Sequence, residues 1–128
     1  MAQSIFSRLL AELQTNKNHN ASIDRCKVII KDLENSLNKR IVAYFSSEVG
    51  NDAGSMVNDE DVFIIENLLS IPSDKKDLVL ILHSNGGFSL SAERIIDVCR
   101  NYCVQRNDSS KFYVIVPKKA KSAATIVA

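Results

Sequence analysis

Two short stretches constrain how this chain can fold. Leu78-Val-Leu-Ile-Leu82 is a near-continuous apolar run that breaks into His83-Ser-Asn-Gly-Gly87. Phe112-Tyr-Val-Ile-Val116 is a second apolar run, and it breaks into Pro117-Lys-Lys-Ala-Lys-Ser-Ala-Ala-Thr125. Uninterrupted apolar runs of this length fit strands buried on both faces of a parallel sheet better than half-exposed, alternating strands. Between them Ala92, Ile95, Ile96, Cys99, Tyr102 and Cys103 recur at helical spacing. Residues from Ser122 onward read as the first turns of another helix. The expected unit is βαβα with a right-handed crossover. Open sheets of this kind bind ligands beyond the carboxyl ends of their strands. Gly86, Gly87 and Ser122 are all expected there.

The first part of the chain is less regular. Ile5, Phe6, Leu9, Leu10 and Leu13 predict an amphipathic helix over residues 4–14, followed by the polar break Asn16-Lys-Asn-His-Asn20. Ser22 is placed as the N-cap of a second helix, whose apolar stripe is Cys26, Ile29, Ile30, Leu33 and Leu37. Ile41-Val-Ala-Tyr-Phe45 reads as a strand, being β-branched and aromatic. Residues 46–58 read as a loop rich in Ser, Gly, Asn and Asp. Asn58 or Asp59 caps a third helix carrying Val62, Ile65, Leu68 and Leu69, which must end near Pro72. The chain divides into residues 1–21, an amphipathic helix and linker, and residues 22–128, one α/β domain.

Composition narrows the function classes. A net charge of +1 gives no electrostatic case for nucleic acid or an anionic membrane. The first helix has only Arg8 as a basic residue, too little for a membrane-surface anchor, so it is expected to pack on the domain or on a second subunit. No apolar run approaches the ~18 residues of a membrane span, and no signal peptide is apparent, so the protein reads as cytoplasmic. Cys26, Cys99 and Cys103 lack metal-ligand spacing and are expected as reduced thiols packed like small hydrophobes. The glycine-rich dinucleotide and P-loop fingerprints are both missing, and neither a cofactor nor a metal is expected.

The chemistry rests on few residues. Gly86 and Gly87 form either a strand-to-helix turn that needs unusual dihedrals or an oxyanion hole whose amides approach a substrate closely. Ser122 is either a plain N-cap or a nucleophile. Ala120, Ala123 and Ala124 leave room around its hydroxyl, and Pro117 stiffens the approach from the strand. A helix N-terminus also favours a developing oxyanion, and the Ala123 N–H would be the second donor beside Gly87. His83 either caps a strand or serves as a base. Lys118, Lys119 and Lys121 are either solvated loop charges or an attraction for an acidic peptide. His19 lies in a polar loop.

His83-Ser-Asn-Gly-Gly87, followed about 35 residues later by Pro117-Lys-Lys-Ala-Lys-Ser-Ala-Ala-Thr125, resembles the serine dehydrogenase proteinase family. That family is related to signal peptide peptidase A and to the Clp protease proteolytic subunit. The end of the strand at Tyr44-Phe-Ser46 and the acidic helix from Asp59 resemble the same family, so the likeness spans roughly residues 25–128. It implies an α/β ClpP/crotonase-like fold with parallel βαβ units and N-terminal helices. It further implies Ser122 as nucleophile, Gly87 and Ala123 as amide donors, and Gly86 as part of the turn. Asn85 stands where relatives carry proline. Relatives place the general base, a lysine or histidine, well downstream of the nucleophile, so it is expected beyond residue 128.

The resemblance implies a serine peptidase that cleaves peptide bonds through an acyl-enzyme on Ser122, the chain being the N-terminal part of that domain. A peptide or unfolded protein segment is the implied substrate and a homo-oligomer the expected assembly. Two other readings stay open: a non-catalytic, oligomerising interaction module of the same fold, and a crotonase-like acyl-thioester enzyme using the same amide pair.

Overall fold

Leu78, Leu80 and Leu82 lie almost wholly out of water, and the architecture is built around the strand that carries them. The structure, a computed structural model, describes residues 4–15, 20–46 and 56–128. It is an α/β protein with a three-stranded parallel sheet. In chain order the elements are α1 (Ile5–Thr15), α2 (Ala21–Leu37), β1 (Arg40–Phe45), α3 (Asp59–Ser70), β2 (Leu78–His83), α4 (Ser89–Arg106), β3 (Phe112–Ile115) and α5 (Ala123–Val127). The strand order is β1-β2-β3, so α3 and α4 are the crossover helices of two successive βαβ units. Arg40 pairs with Leu78 at the start of one ladder, and Leu78 pairs with Phe112 at the start of the other.

The two sheet faces differ. Alternate residues of the strands, Val42, Leu78, Leu80 and Leu82 with the partly buried Tyr44, Phe112 and Val114, join one core. Ile65 and Leu69 of α3, Ala92, Ile95, Cys99 and Tyr102 of α4, and Ala124 and Val127 of α5 complete it. Burying a leucine of this kind contributes about 1.5–3 kcal/mol. On the opposite face Ile41 and Val79 are buried, but Phe45 is 62% exposed and Ile115 46% exposed. Lys39 lies across that face with its ammonium 5.3 Å from the centre of the Tyr113 ring.

Local signals account for most element ends. Asn58 caps α3, its side chain accepting from the Glu60 and Asp61 amides while Asp61 accepts from the Asn58 amide. Helix α3 stops at Ser70, two residues before Pro72. Asn38 ends α2 in the left-handed region, with φ 53°, as residues past a helix end commonly do. Near that end Glu34, 4% exposed, accepts from the Ile41 amide at 3.0 Å and from Arg40 Nη1 at 3.2 Å. The Ile41 amide faces away from β2, so the carboxylate occupies an edge that would otherwise invite another strand.

Several expectations need correction. The N-cap of α2 is Asn20, and Ser22 lies within its first turn, because the helix begins two residues earlier than the serine signal implies. Strand β3 is half exposed rather than buried, since it is an edge strand and only alternate residues meet α4 and α5. Ile29, Leu33 and Leu37 of the α2 stripe are exposed, as is Cys26, because α2 turns Glu34 rather than that stripe toward β1. Cys99 and Cys103 are buried as expected. At the C-terminal end Ile126 is exposed but Val127 is buried. The loop expected over 46–58 has residues 47–55 outside the described set, and His19 also lies outside it. No helix among the described residues is long and apolar enough to cross a membrane.

Burial drives the Cys99 thiol up to about 12 and raises that of Cys103 as well. Thiolates are the reactive form, so a maleimide should modify Cys26 rapidly and Cys99 and Cys103 only on unfolding, which peptide mass mapping would read. A second prediction concerns acid. Asp77 accepts from the Lys111 amide at 2.9 Å and from Lys39 Nζ at 3.1 Å, and these partners, the amide foremost, lower its pKa. Its contribution is fully present above the ordinary aspartate pKa of about 3.9 and is lost as pH falls through the lower folded value. Chemical denaturation of Asp77→Asn across pH 6 to 2 should therefore show less stability than the parent at pH 6 and a shallower acid limb.

Candidate functional site

The carboxyl ends of β2 and β3 are joined beyond the regular ladder. Ser84 pairs with Ala120: the Ser84 amide donates to the Lys119 carbonyl at 3.0 Å, and the Lys121 amide donates to the Ser84 carbonyl at 3.1 Å. The last regular pair is Ile81 with Ile115. Between the two pairings β2 spends Leu82 and His83, whereas the other chain spends Val116, Pro117, Lys118 and Lys119. Pro117 has no amide to offer a ladder, so pairing is broken there and recovered at Ala120. This recovery sets Ser122, two residues past Ala120, beside the end of β2 that leads into Gly86 and Gly87.

The glycine turn is held from its other side by Val57. The Val57 amide donates to the Gly86 carbonyl at 2.8 Å, and the Phe88 amide donates to the Val57 carbonyl at 2.9 Å. A Cβ added at Gly87 would lie 2.3 Å from both the backbone N and the backbone O of Val57, so only glycine fits. Gly86 has φ 109°, a region that side chains rarely enter. In a trans peptide the carbonyl and the amide of one unit point in opposite directions. The bond from Val57 to the Gly86 carbonyl therefore aims the Gly87 N–H away from Val57. Among the described residues the Gly87 N–H has no hydrogen-bond acceptor.

Val57 is itself fixed by its neighbours. The next residue, Asn58, is the α3 cap, and Asp61 of that capping box accepts from the Tyr44 hydroxyl at 3.0 Å. Burial first, and the Asp61 charge second, raise the Tyr44 pKa, so the phenol keeps its proton as a donor. Asp59 bonds Ser91 Oγ at 2.8 Å and Arg94 Nη1 at 2.9 Å, tying the start of α3 to the start of α4. The Ser91 hydrogen bond and then Arg94 lower the Asp59 pKa, so it is ionised at neutral pH.

Ser122 occupies the N-cap position of α5 with φ 52° and ψ −127°, and its side chain caps nothing. Among the described residues its hydroxyl has no hydrogen-bond partner. Residues held in such sparsely populated regions cost about 1–3 kcal/mol and cluster at functional sites. The expected help from a helix dipole is weak, because α5 has only five residues. His83 stands on the opposite sheet face from Ser84, its ring centre 6.1 Å from that of Phe45. Lys119 gives its carbonyl to Ser84, and Lys121 gives its amide. Among the described residues no cluster of three His, Cys, Asp or Glu side chains could hold a metal ion.

Gly86, Gly87, Ser122 and Ala123 thus follow the carboxyl ends of adjacent parallel strands. Three further residues shape the site and escaped the sequence reading: Val57, Ser84 and Ser46. The sequence singles out Val57 only as an apolar residue next to the Asn58 cap. No protein-family model, curated protein or solved structure matches this chain. What the site can do must be argued from its geometry. Since only glycine fits against Val57, Gly87→Ala should lower stability by about 1–3 kcal/mol. A control substitution, Phe88→Ala at an exposed position, should cost less than about 0.5 kcal/mol by the same denaturant titration.

Proposed function

We propose that this chain carries the nucleophile and oxyanion half of a serine peptidase site on a ClpP/crotonase-like fold, as the resemblance to the serine dehydrogenase proteinase family implies. One observation carries the reading. A serine with strained backbone and an unbonded hydroxyl stands at the end of one strand, and the neighbouring strand ends in an amide aimed away from its own support.

In this reading Ser122 Oγ attacks the carbonyl carbon of a peptide bond while its proton passes to a base. The Gly87 and Ala123 amides donate to the carbonyl oxygen as negative charge develops on it. Collapse breaks the C–N bond, the amine leaves with the proton held by the base, and water hydrolyses the acyl ester by the reverse sequence. The substrate class is an extended peptide or an unfolded protein segment, and the setting is cytoplasmic. His83 turns toward Phe45, so the base is not assigned to it.

A second reading, an interaction module that associates through its surface, is favoured by a different observation. Phe45, Tyr113 and Ile115 on the open sheet face and Ile29, Leu33 and Leu37 on α2 are apolar and exposed. Patches of this kind often mark association, and a homo-oligomer is compatible with either reading.

A fluorophosphonate probe should modify Ser122, located by tandem mass spectrometry, and Ser122→Ala should abolish the label. Labelling should be slow in the 128-residue chain and at least tenfold faster in any longer form that brings a lysine or histidine to Ser122. Ser122→Gly should abolish labelling yet raise stability by up to about 1 kcal/mol, because glycine adopts the φ without strain. No label above the Ser122→Ala background in either form would overturn the peptidase reading.

A further inference from the structure

Ser84 and Ser46 carry hydroxyls that the proposed chemistry leaves unused. Ser84 is completely buried at the end of β2, and its Oγ lies 2.8 Å from Ser46 Oγ at the end of β1. The same Oγ accepts from the Gly86 amide at 3.1 Å. Ser46 is anchored in turn, its own amide donating to the His83 carbonyl at 2.9 Å. A hydroxyl has one proton and two lone pairs, so Ser84 can hold Gly86 and Ser46 together.

Gly86 is the hinge between two peptide planes. The plane after it is fixed by the bond from Val57 to the Gly86 carbonyl. The plane before it ends in the Gly86 amide, which Ser84 Oγ fixes. Glycine has the widest conformational freedom of any residue, and φ at Gly86 is 109°. Fixing one plane leaves that freedom in place; fixing both removes it. The Val57 bond sets the direction of the Gly87 amide, and the Ser84 bond limits how far that plane can turn about it.

We infer that Ser84 is a positioning residue for the Gly87 amide, acting through Gly86, and that Ser46 orients the Ser84 hydroxyl. The effect on rate rests on the peptidase reading above; the effect on the amide does not. Ser84→Ala leaves the buried Gly86 amide without its acceptor and lets the hinge turn. Because the donor is misaimed rather than removed, the rate loss should be roughly tenfold or more, short of the ~10²–10³ for outright loss of a donor.

The test uses the full 128-residue chain and two readouts. The first is fluorophosphonate labelling of Ser122, separated into binding and inactivation steps. The second is NMR of the Gly86 and Gly87 amides, by chemical shift and hydrogen exchange. Ser84→Ala should slow the inactivation step, leave probe binding unchanged, and shift both amides with faster exchange. Ser46→Ala should do the same more weakly. Ser84→Thr, which keeps the hydroxyl, should restore most of the rate. The stability control is Tyr102→Phe, which loses one hydrogen bond, to the Lys75 carbonyl at 2.8 Å. It lies at the far end of the strands, and it should cost stability without slowing labelling. If Ser84→Ala does not fold, Ser46→Ala and Ser84→Cys carry the same comparison.

Unchanged glycine amides in the folded Ser84 and Ser46 variants would overturn the inference, as would a rate loss matched by Tyr102→Phe. If neither the 128-residue chain nor a longer form takes label at Ser122, the peptidase reading fails by itself, and the amide measurements alone decide whether Ser84 aims the turn.

Discussion

The backbone of Val57 approaches Gly87 so closely that a single Cβ could not be accommodated. This contact fixes more than a turn. It joins the start of α3 to the link between β2 and α4, so both crossover helices leave the sheet from one point. It also locks the Gly86 carbonyl and thereby turns the next amide outward. The short polar contacts around it, Tyr44 to Asp61 and Asp59 to Ser91 and Arg94, hold the two helix starts at the spacing the contact needs. Each is a modest interaction, about 0.5–1.5 kcal/mol for a neutral hydrogen bond. Their shared effect is geometric.

The opposite ends of the strands are organised differently. There the polar groups serve the sheet itself: Asp77 ties Lys39 and the Lys111 amide, and Glu34 closes the outer edge of β1. A parallel sheet is ordinarily covered on both faces; among the described residues the face under α3, α4 and α5 is covered, whereas Phe45 and Ile115 on the other are exposed. The open face carries Lys39 as a partial cover, with its stem over apolar surface and its charge at Tyr113 and Asp77.

Legibility in the sequence follows the range of the interaction concerned. The run from Leu78 to Leu82, the stripe on α4 and the capping signal at Asn58 are local, and each predicts its element to within three residues. Strand β3 has as apolar a sequence as β2, yet it is half exposed, because the position of a strand in its sheet is set by the other strands. The stripe on α2 predicts the helix but not the direction of its face. Gly86 and Gly87 announce a turn; that the second must be glycine comes from Val57, some thirty residues earlier. Ser84 and Ser46 reach each other only because β1 and β2 pair in the observed register. The four-residue interruption around Pro117 becomes visible only against β2.

Ser122 brings these strands of reasoning to one residue. Its backbone costs about 1–3 kcal/mol where a glycine would cost little. What supports it lies on either side: the Ser84–Ala120 pairing before it, and Ala124 and Val127 buried after it. Those contacts would serve a glycine too, since none of them is a hydrogen bond to the serine side chain. The hydroxyl caps no helix and accepts no bond among the described residues, so it returns nothing to stability. A strained residue whose hydroxyl makes no hydrogen bond among the described residues fits a role in chemistry outside the fold, as proposed above. We propose that this chemistry is the acyl transfer set out above, in which the outward-turned Gly87 amide donates to the oxygen that becomes electron-rich.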